Sequence, residues 1–273
     1  MPELAEVETL MRYLKKNILD QKILSFQKNR NNIRYVLASN LQELIENSSI
    51  IDVQRRAKFL NIKLSNNNSL VVHLGMSGRL TVQPKTYQIQ KHDHVLIGFA
   101  GGSQLVFNDV RRFGMIYGCA SNEFHKQDFL KNMGIEPLTD EFNASYLQKQ
   151  LQNKNTPIKT AIMDSRVVVG VGNIYAAESL FASRISPQLI AAKVTKDEAA
   201  KLTDAIKLVL TRAIQVGGTT LKDFVSGDNK PGYFKQELNV YDRAGMPCYF
   251  CKNPIKKIKQ AGRSSFFCPK CQG

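Results

Sequence analysis

Apolar residues at the start of the chain recur every three or four positions. The stripe consists of Leu4, Val7, Leu10, Met11, Leu14 and Ile18. This period predicts an amphipathic helix over 4–18 with one face packed against a core. Pro2 and Glu3 precede the helix, where its dipole stabilises an anion. The same two residues are also consistent with an ordinary helix start, since proline and acidic residues are common in the first turn.

Between about residues 22 and 118 the pattern changes to short apolar runs. They are separated by Asn, Gly and Ser, and include IIDVQRRAKFLNIKL, SLVVHLGM, HVLIGF and QLVFNDV. Asn66–Asn68 and Gly101–Ser103 are typical of turns. Many short strands without long helices between them indicate an antiparallel sandwich or a barrel-like sheet. A short helix over 41–46 is the expected exception.

The second half of the chain has mainly helical patterns. Helices are predicted over 123–134 and, after a hinge at 136–138, over 142–152, 157–165, 173–183 and 196–217. A glycine-rich polar stretch follows at 217–234, and a cysteine module at 248–271 ends the chain. We therefore predict an α+β fold in three parts: an antiparallel β-sandwich with flanking helices over 1–134, a helical domain over 135–236 and a metal-binding module over 237–273.

Composition adds a preference for polyanionic partners. Lys plus Arg number 38 against 23 Asp plus Glu, which gives 273 residues a formal charge of +15. This excess favours nucleic acid, although a lysine-rich proteome would produce it as well. The chain lacks a run of the ~20 apolar residues that a membrane span requires, and its acidic start is unlike a signal peptide. We expect a cytoplasmic protein without a membrane segment.

Four of the five cysteines form two Cys-x-x-Cys pairs, Cys248–Cys251 and Cys268–Cys271. Four thiolates at this spacing predict a structural zinc site, because the protein fills all four positions. Disulfides are the alternative, which a reducing compartment disfavours. The basic segment 252–267 would form a hairpin that presents cations to phosphates, or would simply be solvated. Cys119 is predicted to be a buried thiol.

Two further motifs suit nucleic acid. In GVGNIYAAESLF, Gly170 and Gly172 allow a tight turn and Asn173 can cap the next helix, whose amino end would attract a phosphate. The same turn could serve packing alone. In NDVRRFG, adjacent arginines and Phe113 could enter a distorted duplex, or could belong to a strand with a core Phe. Met76, in HLGMSGRL, is expected at an exposed loop tip, where it could equally fill a turn.

The start of the chain offers a nucleophile. The small side chain of Pro2 favours removal of Met1, which would leave a secondary amine beside the Glu3 carboxylate. An α-amino group has a pKa of about 8, so part of it is unprotonated near neutral pH. Attack on an aldehyde-like carbon would give a cationic iminium, and Glu3 could move protons around it.

Together these motifs resemble the bacterial formamidopyrimidine-DNA glycosylases, in the family that also includes endonuclease VIII. The matching segments run in order along the chain: PELAEVET, RRAKFL, HLGMSGRL, KHDHV, NDVRRFG, GVGNIYAAESLF, GGTTLKDF, PGYF and the four cysteines. The resemblance implies a β-sandwich carrying the first helix, a helix–two-turn–helix domain and a zinc finger, with DNA between them. It also implies one structural Zn²⁺ per chain and a monomer.

The resemblance implies base-excision repair of double-stranded DNA that contains oxidised purines. The enzyme would flip out 8-oxoguanine or a formamidopyrimidine, displace it at C1′ with the amine of Pro2, and cut the strand by β,δ-elimination. Two alternatives remain open: an endonuclease VIII-like enzyme for oxidised pyrimidines, and a non-catalytic protein that binds lesions.

Site residues follow from the same resemblance. Pro2 would be the nucleophile, Glu3 the general acid and base, and Lys58 a cation near the lesion and its phosphate. The stretch 217–234 would cover the flipped base, which favours the 8-oxoguanine branch. Arg112 would face the orphaned cytosine. The expected DNA-contacting residues are Met76, His92, Arg111, Arg112, Phe113, Lys159, Asn173 and Arg263.

Two positions depart from the pattern of the family. Ala5 and Val110 stand where prolines are common. Ala5 is a good helix former and leaves Pro2 and Glu3 in place. Val110 removes the fixed φ before the arginine pair, which would loosen the loop.

Overall fold

The structure is a computed structural model that describes residues 2–34, 37–219 and 234–273. It divides into two compact units. The first unit contains the described residues of 2–131 together with 217–219, and the second contains Asn132–Val216 together with 234–273. Across the described residues, none of the helices has both the length and the apolar character to cross a membrane.

Helix α1 spans Leu4–Ile18, as its apolar period predicts. Glu3 is the N-cap residue, with extended backbone angles, and its N–H donates to the Glu6 carboxylate at 2.8 Å. This bond satisfies one of the amides that a helix start leaves unpaired. The apolar face of α1 is buried in the core of the first unit, with Leu14 and Ile18 fully inaccessible.

Among the described residues of the first unit, antiparallel strands form two four-stranded sheets, with strand orders β1-β6-β7-β5 and β2-β3-β4-β8. The strands are β1 Ile23–Lys28, β2 Ile50–Arg56, β3 Phe59–Leu64, β4 Asn68–His73, β5 Gly78–Pro84, β6 Asp93–Phe99, β7 Ser103–Asp109 and β8 Met115–Ala120. Side chains of both sheets, such as Ile62 and Ile97, share one buried cluster with α1. The predicted antiparallel sandwich is confirmed. Helix α2, Leu41–Ile45, is the short helix expected at 41–46.

The structure divides one β-rich run of this unit into two strands and corrects one predicted helix. The run 50–64 is a hairpin, β2 and β3, whose two-residue turn places Ala57 in the left-handed region at φ +54°. The predicted helix over 123–134 is instead a 3₁₀ turn, Ser121–Lys126, followed by the one-turn helix α3, Asp128–Lys131. The helix breaks because Gln127 has an extended backbone between them.

The second unit contains all four helices predicted after residue 140. They are α4 Ala144–Leu151, α5 Ile158–Ile162, α6 Asn173–Ala182 and α7 Lys196–Gln215. Helix α7 packs against α4 and α6 and starts with a capping box, in which Thr195 and Glu198 each bond the other's backbone N–H. The chain ends in a hairpin of β9, Lys256–Gln260, and β10, Arg263–Phe267.

Candidate active site and DNA-binding surfaces

Glu6 organises the amino end of α1. Its Oε2 accepts the N–H of Glu3 at 2.8 Å and its Oε1 accepts the N–H of Thr219 at 2.7 Å. Pro2, Glu3 and Glu6 are all buried. The residue before Thr219 is Gly218, whose φ is +82°, and a Cβ at this position would lie 2.9 Å from Oε1 of Glu6. The carboxylate therefore links the start of the chain to residue 219, a contact that local sequence patterns could not predict.

Lys58 lies in the tight turn between β2 and β3. Arg55 anchors this turn, because it donates to the carbonyl of Ala57 at 3.0 Å and to the carboxylate of Glu8 at 2.7 Å. Burial raises the pKa of Glu8, but the hydrogen bonds and charges of Arg55 and Arg12 bring it below its ordinary value. The ion pair therefore fixes the Lys58 turn to α1, the helix that carries Glu3 at its start.

A pocket of about 600 Å³ in the first unit brings together four of the predicted site residues. They are joined by residues that the sequence analysis did not identify. The lining consists of Ile33, Arg34, His73, Gly75, Met76, Arg111, Arg112 and Phe113. Met76 is half-buried and not fully exposed as expected, whereas Phe113 remains 44% exposed. The opening of the pocket is therefore cationic with an apolar side.

The loops that carry Met76 and Phe113 touch through their backbones. A Cβ on Gly75 would lie 2.3 Å from the carbonyl carbon of Phe113, and Gly75 has a φ of +63°. Only glycine fits this position. Arg112 also has a positive φ, +60°, and the guanidinium of Arg111 lies 5.0 Å from the Phe113 ring centroid.

His73 is a neutral imidazole in this pocket. Burial, and then the positive charges of Lys58 and Arg34, lower its pKa to about 4. Its Nδ1 accepts the N–H of Gly75 at 3.1 Å, which requires that nitrogen to be unprotonated. His73 is the first residue of the segment HLGMSGRL and is half-buried. The sequence alone did not show that cations lie beside it in the fold.

His92 is not among the residues that line this pocket, and it lies beside the end of β7. It is half-buried just before β6, and its carbonyl accepts the N–H of Asp109 at 3.0 Å. His92 is therefore close in the fold to the loop of residues 110–114 that carries Arg111, Arg112 and Phe113.

In the second unit, Asn173 occupies a different helix position from the one predicted. Gly172 is the N-cap of α6 and Asn173 is the first helical residue. The side chain of Asn173 makes tertiary contacts instead of capping: its Oδ1 accepts from Lys159 at 2.5 Å. Gly170, with a φ of +79°, makes the turn that leads into the helix.

Lys159 is enclosed, with a relative exposure of 2%. Besides Asn173, its ammonium donates to the carbonyl of Ser264 at 2.9 Å and to the hydroxyl of Ser265 at 2.8 Å. Three acceptors match the three protons of an ammonium. This geometry does not suit direct contact with a phosphate. It joins the start of α6 to the β9–β10 hairpin, next to Arg263.

Arg263 is exposed at the tip of that hairpin. The two turn residues, Ala261 and Gly262, both have positive φ values, +44° and +78°, as two-residue type I′ hairpins require. The exposed side chains of Lys256, Lys257 and Lys259 on β9 extend the cationic surface that the sequence predicts here.

Glu178, on α6, is a further residue that the sequence analysis missed. Its carboxylate is buried and accepts the backbone N–H groups of Asn239, Val240 and Tyr241 at 2.8–3.0 Å. Burial raises the pKa of Glu178, while those hydrogen bonds act in the opposite direction. The contact fastens the segment leading into the cysteine module to the helical core.

The four cysteines of the two Cys-x-x-Cys motifs form a metal site. Their sulfur atoms all lie within 4.8 Å of one another, and all four are free thiols. The Sγ distances are 3.3 Å for Cys251–Cys268 and 4.0 Å for Cys248–Cys271. A tetrahedral zinc with bonds of about 2.3 Å separates its sulfurs by about 3.8 Å, so the set fits one structural Zn²⁺. Cys119 is buried in the first unit, as predicted.

One segment to which the sequence analysis assigns a role lies mostly outside the described residues. The stretch 217–234, predicted to cover the flipped base, is described only at 217–219 and Phe234, and residues 220–233 lie outside the described residues.

Three known domains match the chain in sequence order. They are the formamidopyrimidine-DNA glycosylase N-terminal domain over 1–116, the formamidopyrimidine-DNA glycosylase H2TH domain over 133–225, and a zinc finger found in FPG and IleRS over 245–273. A chain assembled from these parts is a zinc-finger DNA glycosylase of base-excision repair. This chain belongs to the formamidopyrimidine-DNA glycosylase family, which confirms the resemblance found in its motifs.

Individual relatives agree over the full length. The formamidopyrimidine-DNA glycosylases of Rickettsia bellii and Rickettsia conorii are 51% and 52% identical over 272 residues, covering 100% of this chain and 99% of theirs. The MutM (FPG) protein of Thermus thermophilus superposes with a TM-score of 0.90 at 36% identity, covering 100% of this chain and 99% of that one. A complex of Lactococcus lactis Fpg with DNA containing an abasic site superposes with a TM-score of 0.92 at 32% identity, covering 99% of both chains.

Proposed function

We propose that this protein removes oxidised purines, such as 8-oxoguanine and formamidopyrimidines, from double-stranded DNA and then cuts the strand as a lyase. The observation that carries the proposal is the Pro2–Glu3 pair, held at the amino end of α1 by the Glu6 carboxylate. A relative supports the substrate class, since Lactococcus lactis Fpg is known in complex with DNA that contains Fapy-dG.

In the proposed reaction, Met1 is removed and the amine of Pro2 attacks C1′ of the damaged nucleotide. The new N–C1′ bond replaces the glycosidic bond, and the base leaves with a proton. Glu3 protonates the ring oxygen, so that the sugar opens and an iminium joins Pro2 to C1′. The iminium withdraws electrons, which allows loss of a C2′ proton and expulsion of the 3′ phosphate. A δ-elimination then releases the 5′ phosphate.

The remaining site residues would bind and shape the DNA. Lys58 would neutralise a phosphate beside the lesion, and Arg112 would face the orphaned cytosine. Together with Arg112, Met76 and Phe113 would fill the space that the flipped base leaves. Phosphate contacts position the duplex, whereas the pocket selects the lesion.

In the second unit, Asn173 and Arg263 would hold the phosphates that flank the lesion, as the amino end of a helix and an exposed arginine can do. Lys159 would contribute by holding these two elements together, since its ammonium is already occupied. The zinc would stabilise the hairpin that presents Arg263. We propose that the protein acts as a monomer.

Borohydride trapping tests the mechanism. The processed protein should form a covalent adduct with a duplex containing 8-oxoguanine opposite cytosine, and peptide mapping should place the adduct at residue 2. A matched protein with Met1 retained should bind the same duplex without an adduct, because its Pro2 nitrogen is part of a peptide bond. Absence of an adduct from protein whose first residue is Pro2 would refute the mechanism.

Substrate class needs a separate comparison. Single-turnover excision of 8-oxoguanine should exceed that of thymine glycol in the same sequence context. The reverse preference would favour an endonuclease VIII-like enzyme, and binding of both duplexes without strand cleavage would favour a non-catalytic protein.

A further inference from the structure

The two loops that carry Met76 and Phe113 meet at one buried carboxylate, that of Asp109. Asp109 is the last residue of β7 and is fully inaccessible to solvent. Its Oδ1 accepts the hydroxyl of Ser77 at 2.6 Å, and its Oδ2 accepts the N–H of Gly114 at 2.7 Å. One side chain therefore holds a residue from each loop.

Ser77 extends this contact to a third point. Its Oγ accepts the N–H of Arg111 at 3.0 Å, while its proton is donated to Asp109. The hydrogen bonds thus fix the 110–114 loop at Arg111 and at Gly114. Arg112 lies between these two anchors with a φ of +60°, a conformation that residues with a side chain seldom adopt. The anchors hold this turn in place.

The position of the Asp109 carboxylate is itself set by the sheet. The backbone N–H of Asp109 donates to the carbonyl of His92 at 3.0 Å, and its carbonyl accepts from Nε2 of the buried His94 at 2.8 Å. Since the main chain of Asp109 belongs to a paired strand, the carboxylate is a rigid reference point to which both loops are attached.

We propose that Asp109 is a positioning residue that fixes Met76 relative to Arg112 and Phe113 before DNA binds. The proposal rests on the proposed function, in which these three side chains fill the space left by the flipped base. Val110 makes the carboxylate more important, because its φ is not restricted by a proline ring. A loop ordered in advance need not lose its conformational freedom on binding.

Asp109→Asn tests the proposal, because it keeps the shape but replaces one acceptor oxygen with an amide NH₂. Asp93→Asn is the matched control, because Asp93 is a buried carboxylate in β6 of the same sheet. It accepts hydrogen bonds from Asn108, Tyr87 and the N–H of Gln90, and from neither of the two loops. In the free, full-length protein, the amides of Arg111 and Gly114 should exchange hydrogen about tenfold faster in Asp109→Asn. In Asp93→Asn they should stay within about twofold of the wild type. Unchanged exchange in Asp109→Asn, or equal acceleration in the control, would overturn the proposal.

The functional readout uses a duplex with an uncleavable abasic analogue opposite 2-aminopurine, whose fluorescence rises when neighbouring bases unstack. At saturating protein, Asp109→Asn should lose most of the rise that the wild type produces, while Asp93→Asn keeps it. Borohydride trapping on single-stranded abasic DNA should be equal in all three proteins, because it needs Pro2 and no opposite strand. A full fluorescence rise in Asp109→Asn would overturn the positioning role.

If Asp109→Asn does not fold, Ser77→Ala tests the same positioning proposal. It removes the link to Arg111 and keeps the bond between Asp109 and Gly114. Exchange should accelerate at Arg111 and not at Gly114, with a partial loss of the fluorescence rise; wild-type values in both would overturn the proposal. If the wild type formed no adduct with any of the DNAs, the proposed function would be refuted. The positioning role of Asp109 would still be tested by the hydrogen-exchange rates, which report on its contacts in the free protein.

Discussion

His73 lies beside two cations and largely out of water, and both conditions favour the neutral imidazole. The ring packs against Phe59, with centroids 4.6 Å apart, and its Nδ1 accepts the N–H of Gly75. A proton at Nδ1 would break that bond and bring a third positive charge next to Lys58 and Arg34. The geometry of the Met76 loop is therefore coupled to the charge state of one residue.

This coupling predicts a pH dependence of stability. The pKa of His73 is about 4 in the folded protein and about 6.5 in an unfolded chain. As the pH falls, the unfolded state takes up the proton first. The stabilisation that neutral His73 gives the folded state is therefore complete above pH 6.5 and is lost as the pH falls towards 4. Between pH 7 and pH 5 the wild type should lose about 2 kcal/mol more unfolding free energy than His73→Gln, measured by urea unfolding.

An NMR titration gives the direct control for this prediction. The chain has only four histidines, so the spectrum of His73→Gln identifies the His73 resonance. A titration midpoint near 6.5 for that resonance would contradict the burial and charge argument.

The site could be predicted in part at this scale. The sequence pattern placed Glu3 correctly at the start of α1, because acid preference and apolar period are local properties. It misplaced Asn173 as a cap, because the partner of its side chain, Lys159, comes from another helix. His73, Asp109 and Glu178 were missed for the same reason: their roles depend on partners brought near by the fold.

At the scale of elements, Lys159 joins α5, α6 and the β9–β10 hairpin through a single ammonium. Each of its three acceptors belongs to a different residue of α6 or β10. An enclosed cation without water must have all its protons bonded, and this one does. The bonds of this ammonium therefore add to the apolar packing of α6 against the hairpin in fixing the relative placement of these elements.

Lys159→Met should weaken this junction. The variant keeps the length of the side chain and leaves the acceptors of Asn173, Ser264 and Ser265 without their donor. We expect a loss of about 2–4 kcal/mol in the stability of the second unit, measured by calorimetry. Lys193→Met, at an exposed lysine of the same unit, should unfold like the wild type. Equal stability of the two variants would contradict the assigned role of Lys159.

The elements themselves were largely predictable, and the exceptions have local causes. The long helix α7 followed from its apolar period, since many turns reinforce one another. The β2–β3 turn was hidden because it uses Ala57 in the left-handed region, where Gly or Asn would normally mark the turn. The 123–134 segment has helical spacing, but the extended backbone of Gln127 divides it into two short turns. The apolar period alone cannot distinguish two such short turns from one continuous helix.

At the scale of the whole molecule, the chain relies on a metal for its last segment. Residues 234–273 contain short strands and little core of their own, apart from a cluster around Cys248, Ile255 and Phe266 that packs on α6. Small modules of this kind gain much of their folding free energy from the ion. The zinc therefore stabilises the second unit, and with all four ligands supplied by cysteines it leaves no open position for a substrate.

Cys268→Ser should lose the bound zinc, lower the stability of the second unit and weaken DNA binding. Metal content by plasma mass spectrometry and duplex affinity by fluorescence anisotropy measure these effects. Cys119→Ser is the matched control, because Cys119 is a buried thiol of the first unit, and this variant should retain one zinc per chain. Full zinc content in Cys268→Ser would contradict the four-cysteine site.

The bond between Glu6 and Thr219 sets a condition for recombination. The two residues are 213 positions apart, so any crossover point between them, in a gene or in a designed chimaera, pairs an α1 from one parent with a residue 219 from another. The bond uses the backbone N–H of Thr219, so the identity of that side chain is open to change, proline excepted. The condition falls on Glu6, which supplies the acceptor, and on Gly218, because its φ of +82° is strained for any residue with a side chain and a Cβ there would press on the Glu6 carboxylate. A viable hybrid must inherit those two residues as a pair.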